Sequence, residues 1–304
     1  MSIGPRTGRA GAAMSEGPAS DALPNADQAE YWNSEAGRRW IACQEALDQR
    51  FAPLTELLIA RARVDDGACV VDVGCGTGAT TLQLARAVGA HGSVLAVDIS
   101  EPLLAVARRW VMQGGHANVR FVRGDVQTHR FERASYDLAV SRFGVMFFGD
   151  PVGAFRNLAR ALRPGGRLGF VCWAPLEDNP WFALPLEVGV KRLGSPAPRP
   201  RRAPGPLALS EPDYVEQILC AAGLADVRIE QVSTFLPGAA SAREEAELAS
   251  QVGLLARLLR ERDADAAMRE LLIEELADRL TPYLTADGMR LPARLHLATA
   301  AAPR

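Results

Sequence analysis

Apolar positions in this chain change period several times, and each change marks an element. From residue 26 to 63 they recur at helical spacing, at Trp40, Ile41, Ala46, Leu47, Leu54, Leu57 and Leu58, with charges between them. The run 68–73 is then short, β-branched and continuous, which predicts a buried strand. A glycine-rich turn at 74–78 opens a helix over 79–88. The alternation continues with a strand at 93–97, a helix at 101–112 and strands at 118–122 and 136–141. A helix at 151–162 is stopped by Arg163-Pro-Gly-Gly166, and a fifth strand follows at 167–173. Strands that alternate with helices predict a parallel sheet with helices on both faces.

The outer parts of the chain read differently. Residues 1–26 are rich in Gly, Ala, Ser and Pro, show no periodicity and predict a disordered leader. Met14 inside it is an alternative start. Residues 176–210 are rich in Pro and Arg and predict a mobile loop, with Arg199, Arg201 and Arg202 solvated. Beyond it come a helix at 211–222, a strand at 227–232, a helical pair at 242–280 and a last strand at 289–299. The domain reading is therefore a leader (1–26), N-terminal helices (27–64), an α/β core (65–175), the loop (176–210) and a C-terminal part (211–304) whose insertion 238–287 caps the fold.

Composition narrows the function. The 34 basic residues against 36 acidic ones give a net charge of -2, unlike a general nucleic-acid or anionic-membrane binder. No window of 18 apolar residues predicts a membrane span. Cys43, Cys69, Cys75, Cys172 and Cys220 are dispersed without a C-x-x-C pair, and the four histidines form no H-x-x-x-H pair. Neither a disulfide framework nor a metal site is expected, and the expected compartment is the reducing cytoplasm. A homo-oligomer stays open.

The chemistry sits in Asp72-Val-Gly-Cys-Gly-Thr-Gly78, between a strand and a helix. Glycines there allow a tight turn and close approach of backbone to a ligand. Asp98 ends the next strand, where a carboxylate can accept both hydroxyls of a ribose. These two features imply a nucleoside cofactor. A dinucleotide's pyrophosphate wants a helix N-terminus free of acids. S-adenosylmethionine brings an ammonium group, which suits Asp72. Asp125, after the third strand, adds a carboxylate for the adenine edge. An NAD(P)-dependent oxidoreductase remains an alternative, weakened because Glu187, not tyrosine, precedes the single lysine, Lys191, by four residues.

With DVGCGTG at 72–78, VDIS at 97–100, GDV at 124–126, YDLAVSRFGVMFF at 136–148 and LRPGGRL at 162–168, the chain resembles the class I S-adenosylmethionine-dependent methyltransferases. The likeness is to the ubiquinone/menaquinone-biosynthesis type and is close over residues 28–175; RLPARLHLATA at 290–300 resembles a bacterial subfamily. It implies a seven-stranded Rossmann-like sheet whose last strand runs antiparallel. It also implies that Asp72, Gly74, Gly76 and Gly78 line the methionine moiety, Asp98 holds the ribose, and Ile99 packs on the adenine. Asp125 and Val126 would hold the adenine edge, with Ser141 at the methionine end. Trp32 and Trp40, within about 80° of each other around one helix, would belong to a lid. The position after the fourth strand lacks the Asn/Asp-Pro-Pro-Tyr/Phe of amino-methylases of nucleic acids, and an aromatic set of Phe143, Met146, Phe147 and Trp173 stands there instead. The expected partner is a small apolar or aromatic acceptor, not nucleic acid. No catalytic residue is assigned; His129 is the one candidate base. A protein that binds S-adenosylmethionine without turnover also remains open.

Overall fold

The computed structural model describes residues 25–304; most of the expected leader lies outside them. Three helices come first: α1 (Ala26–Asn33), α2 (Glu35–Ala42) and α3 (Gln44–Ala62). The core then alternates β1 (Cys69–Val73), α4 (Ala79–Ala87), β2 (Ser93–Asp98), α5 (Glu101–Gln113), β3 (Val119–Arg123), β4 (Tyr136–Arg142), α6 (Pro151–Ala161) and β5 (Leu162–Trp173). It closes with α7 (Pro180–Leu193), α8 (Pro212–Ala221), β6 (Ala225–Pro237), α9 (Ala242–Gln251), α10 (Gly253–Glu261), α11 (Ala266–Leu280), β7 (Leu284–Thr285) and β8 (Gly288–Ala301).

The sheet order is β3-β2-β1-β4-β5-β8-β6. The first five strands run parallel, and β8 lies antiparallel between β5 and β6. The short β7 pairs only with the start of β8. This is the expected seven-stranded arrangement. Parallel strands covered on both faces lose the polar alternation, and Val70, Val71, Asp72 and Val73 of β1 are all buried. Helix α4 packs beside both α3 and α5, and α6 beside α8.

Several elements differ from the sequence reading. β5 begins already at Leu162, pairs with Tyr136 there and carries Arg163-Pro-Gly-Gly166 across a register shift, β6 runs on to Pro237, and the short β7 is additional. The pattern over 26–63 is broken where Ser34 leaves helical geometry and its Oγ accepts the Ala36 N–H, so Trp32 and Trp40 lie on different helices. The first part of the expected 176–210 loop is helical. Pro180 starts α7, where a missing N–H costs nothing, and Trp181, Phe182, Pro185 and Val188 are buried along it. The insertion holds three helices rather than two, because Val252 is extended and Gly253 takes φ +85° between α9 and α10.

The cap is tied to the body by a buried ion pair. Arg50 of α3 donates from both terminal nitrogens to the two carboxylate oxygens of Glu245 on α9, each at 2.6 Å. Both side chains are 1% exposed. The Arg50 guanidinium also stacks on Trp181 of α7, 3.9 Å from the ring centroid.

Candidate functional site

The strand order reverses direction between β1 and β4, and open α/β sheets place ligands beyond the strand carboxyl ends at such a point. The loop after β1 is pinned there by two bonds, from Gly74 N–H and Cys75 N–H to the Val97 carbonyl, at 2.8 and 3.2 Å. Gly74 takes φ +68°, and a Cβ on it would stand 2.7 Å from Gly144 Cα. A side chain there would force apart the loops that follow β1 and β4.

A cavity of about 700 Å³ opens at this point. Of the sequence-predicted residues, Trp32, Trp40, Gly74, Gly76, Asp98, Ile99, Asp125, Val126, Phe143, Met146, Phe147 and Trp173 form part of its wall. Asp98 is 8% exposed. Its Oδ2 accepts the Gly76 N–H and its Oδ1 the Ser100 N–H, both at 2.8 Å. Burial raises its pKa, against the pull of those backbone donors. Asp125 is oriented by Gln127, whose N–H and Nε2 donate to its two oxygens at 3.0 and 2.9 Å.

Asp72, Gly78, Ser141 and His129 are not part of the wall. Asp72 lies within β1 with both neighbours, and its Oδ2 accepts the Thr81 hydroxyl at 2.6 Å. Burial pushes its pKa up to about 7; Thr81 and Arg142 oppose the shift, and the charge of Asp98 adds to it. Gly78, at φ +92°, brings α4 close to α5, since a Cβ there would meet Ala107 Cβ at 3.0 Å. Ser141 Oγ donates to the Val73 carbonyl at 2.8 Å and accepts the Val145 N–H at 3.3 Å. It therefore fixes the loop rather than facing a ligand. His129 packs edge-on against Phe131, with ring centroids 4.5 Å apart.

The aromatic wall is continuous. Phe143 and Trp173 stack 4.6 Å apart at 9°, Phe51 meets both edge-on, and Phe182 closes on Trp173. On the other side, Trp32 is edge-to-face with Phe147 at 5.2 Å and with Trp40 at 5.7 Å. The break at Ser34 thus leaves the two tryptophans in contact. The first helices are anchored on the loop that follows β2. Ser100 Oγ donates to the Trp32 carbonyl at 2.8 Å, Asn33 Nδ2 donates to the Ile99 carbonyl at 3.1 Å, and the Glu101 N–H donates to Asn33 Oδ1 at 3.0 Å.

The wall also holds residues the sequence reading did not assign to it. Arg142, at the end of β4, donates to Thr55 Oγ1 at 2.9 Å and lies 3.6 Å from Asp48. Arg39, Arg199, Arg202, Arg257 and Arg260 line the cavity as well. Arg201 is not among the lining residues; it and Arg202 both pair with Glu211, at 2.8 and 2.7 Å. Arg199 and Arg202 carry the one signal that sequence could offer, as part of an arginine-rich stretch; Arg39 in α2, Arg142 at the end of β4, and Arg257 and Arg260 in α10 sit among the ordinary charges of their elements.

Comparison with known proteins gives a consistent result. Residues 70–166 match the methyltransferase domain family. An aklanonic acid methyltransferase from Streptomyces sp. (strain C5) is 33% identical over 120 residues, which is 40% of this chain and 54% of that protein. A nocamycin O-methyltransferase from Saccharothrix syringae is 29% identical over 59% of this chain and 66% of its own length. A ubiquinone/menaquinone biosynthesis C-methyltransferase from Azotobacter vinelandii is 40% identical over 33% of this chain and 40% of that protein. The chain therefore spans less than two thirds of these relatives. Among solved structures, a Bacillus protein, YcgJ, superposes with a TM-score of 0.53 at 20% identity, covering 82% of this chain and 98% of that one. A [4+2]-cyclase superposes with a TM-score of 0.51 at 20% identity, covering 83% of this chain and 81% of that one. The fold is thus shared with methyltransferases and with at least one protein named for another reaction.

Proposed function

We propose that this chain, which carries a methyltransferase domain with the class I fold, binds S-adenosylmethionine in the cavity and moves its methyl group to a small apolar or aromatic acceptor. One observation carries the reading: a glycine turn, a buried carboxylate at the end of β2 and a second carboxylate after β3 line one cavity together with a continuous aromatic surface. The donor set fits the cofactor. Asp98 would accept from the ribose hydroxyls, Ile99 and Val126 would flank the adenine, and Asp125 would take its edge. Gly74 and Gly76 leave room for the methionine portion. Asp72, held behind the loop by Thr81, acts on that portion only through the field and the shape it gives the turn.

S-adenosylmethionine supplies an electrophilic methyl on a sulfonium. The protein's task is then to hold the acceptor in line and to keep water out. Trp32, Trp40 and Phe147 serve the second role, because they form one aromatic contact set across the first helices and the loop after β4. Phe143, Met146 and Trp173 offer the acceptor an apolar bed. The relatives named for O- and C-methyl transfer support the reaction class and leave the acceptor atom to experiment.

The test is calorimetric titration of the purified protein with S-adenosylmethionine, S-adenosylhomocysteine and NADH. We expect micromolar binding of the first two, about -8 kcal/mol. Tighter binding of NADH overturns the reading in favour of hydride chemistry. Release of S-adenosylhomocysteine across a panel of phenols, quinones, amines and carboxylic acids then separates an enzyme from a protein that binds without turnover.

A further inference from the structure

The charges on the cavity wall do not balance. Six arginines stand there (Arg39, Arg142, Arg199, Arg202, Arg257 and Arg260), against three acids, Asp98, Asp125 and Glu261. Two of the acids belong to the glycine-loop side, where the nucleoside would lie. Arg202 is matched by Glu211 at 2.7 Å, Arg257 by Glu261 at 2.5 Å, and Arg142 by Asp48 at 3.6 Å. That leaves Arg39 of α2, Arg260 of α10 and Arg199 of the loop after α7 with no carboxylate partner among the described residues. Arg39 Nε is buried and makes no hydrogen bond there. Arg199 gives one terminal nitrogen to the Pro204 carbonyl at 2.9 Å.

These arginines come from segments up to 221 residues apart in sequence, yet they face one cavity. Arg39 is half-buried, with its Nε enclosed, while Arg199 and Arg260 are exposed to the open side of the cavity. An anion bound between like charges gathered in this way relieves their mutual repulsion. Partial burial lowers the pKa of Arg199 and neighbouring Arg257 lowers it further, while Glu261 and Tyr31 work the other way. Arg260 is lowered first by burial and also by Arg39 and Arg257, with Tyr31 working the other way.

A second observation is independent of the first. No lysine or histidine lies on the described wall, and His129 is not part of it. The Cys75 thiol is pushed far above its ordinary range by burial and by Asp98 and Asp72. Glu261 is engaged by Arg257. Apart from Tyr31, the remaining proton acceptors on the wall are Asp98 and Asp125, which lie on the nucleoside side and are held by backbone and Gln127 donors. An acceptor that arrives already deprotonated is the one this wall serves without a base. A carboxylate does so at neutral pH, with an ordinary pKa near 4.

We propose that the acceptor is an aromatic or apolar carboxylate, held by Arg39, Arg199 and Arg260 while its ring lies against Phe143, Met146 and Trp173. The inference rests on the methyl-transfer reading of the same cavity. In the reaction, a carboxylate oxygen attacks the methyl carbon. The O–C bond forms as the S–C bond breaks, and that electron pair stays on sulfur. The acceptor's negative charge and the sulfonium's positive charge vanish together, and no proton moves. Arginine suits the task because its planar fork meets two carboxylate oxygens at once.

The test compares two fluorescent probes, 1-anilinonaphthalene-8-sulfonate and the neutral N-phenyl-1-naphthylamine, which share their rings and differ by the anionic group. Each is titrated into the full chain with and without S-adenosylhomocysteine, whose own binding is measured on the same samples. We expect the sulfonate probe to bind at least tenfold more tightly. Arg39→Gln with Arg260→Gln should remove about tenfold of that affinity and leave the neutral probe and S-adenosylhomocysteine unchanged. Arg201→Gln, outside the wall, should change nothing. Equal binding of the two probes, or a double variant that keeps the full preference, overturns the inference. Faster formation of S-adenosylhomocysteine from S-adenosylmethionine with matched phenols or amides as acceptors than with the carboxylic acids overturns it as well. If S-adenosylhomocysteine fails to bind, the methyl-transfer reading falls and takes this inference with it; if it binds and the anion preference is missing, the inference alone falls.

Discussion

Arg50→Met isolates the contact that fastens the cap to the sheet. Glu245 would keep only the Ala239 N–H, at 3.0 Å, for a carboxylate that is 1% exposed. Removing one partner of a buried pair strands the other charge, at a cost of about 3–5 kcal/mol. For a chain of this size each kcal/mol moves the melting temperature by about 2–4 °C, so the loss should be roughly 6–20 °C. The same variant strips the guanidinium from Trp181, which adds to the loss rather than offsetting it. Arg50→Met combined with Glu245→Leu removes both charges and should recover most of the stability, to within about 1–2 kcal/mol of the parent. Urea and thermal unfolding, followed by circular dichroism, give both numbers. Helices α9 and α10 carry Gln251, Arg257 and Arg260 to the cavity, so the single variant should also weaken ligand binding. A loss below about 2 °C for Arg50→Met, or a double variant as unstable as the single one, would refute the reasoning.

Asp98→Ala removes the carboxylate that faces the cavity and leaves the Gly76 and Ser100 N–H groups unpaired. Affinity for S-adenosylmethionine should fall by about 1.5–3 kcal/mol in calorimetry, and unchanged affinity would move the ribose site elsewhere. Trp32→Ala should weaken S-adenosylhomocysteine binding, while Phe147→Ala should chiefly lower turnover. Because the two rings touch at 5.2 Å, a double-mutant cycle on affinity should show a coupling of about 0.5–1.5 kcal/mol, and strict additivity would mean that they act separately. Asp72 has a folded pKa raised from 3.8 to about 7, so its contribution to stability is complete below about pH 4 and is lost as pH climbs to 7. Asp72→Asn should therefore flatten the fall in stability between pH 4 and 8 by up to about 4 kcal/mol, and parallel pH profiles for the two proteins would show that Asp72 is ionised throughout.

The residues of the glycine turn and the strand ends were legible because their meaning is local. A strand followed by Gly-x-Gly-x-Gly fixes its own geometry within seven residues, and Asp98 is marked by ending the next strand. Spacing could not show which side of the turn a residue serves. Asp72 and Ser141 share a motif with Gly74 and Phe143, yet both side chains turn to neighbours in the fold and hold the turn in shape. The helix that carries Trp32 and Trp40 looked continuous because apolar period survives a single capping serine. Segment 180–193 looked like a loop because its prolines were counted as breakers; Pro180 occupies a helix start, and only Pro185 sits inside.

The arginines were hidden for a different reason. Arg39 and Arg260 each belong to helices where a charge at that position looks like ordinary surface, and nothing within either helix links the two. Only the cap, docked by Arg50 and Glu245, brings α10 over the cavity that α2 borders. The physical consequence is a division within one site. The nucleoside side is specified by short-range sequence and tolerates little change, since Gly74 cannot accept a Cβ without moving Gly144. The acceptor side is specified by long-range docking of helices, where one exposed arginine can be exchanged at a cost of only tenths of a kcal/mol in stability. Acceptor preference can thus change while the cofactor turn stays fixed, which is why the cap and its arginines, rather than the glycine loop, are the place to look for what this protein methylates.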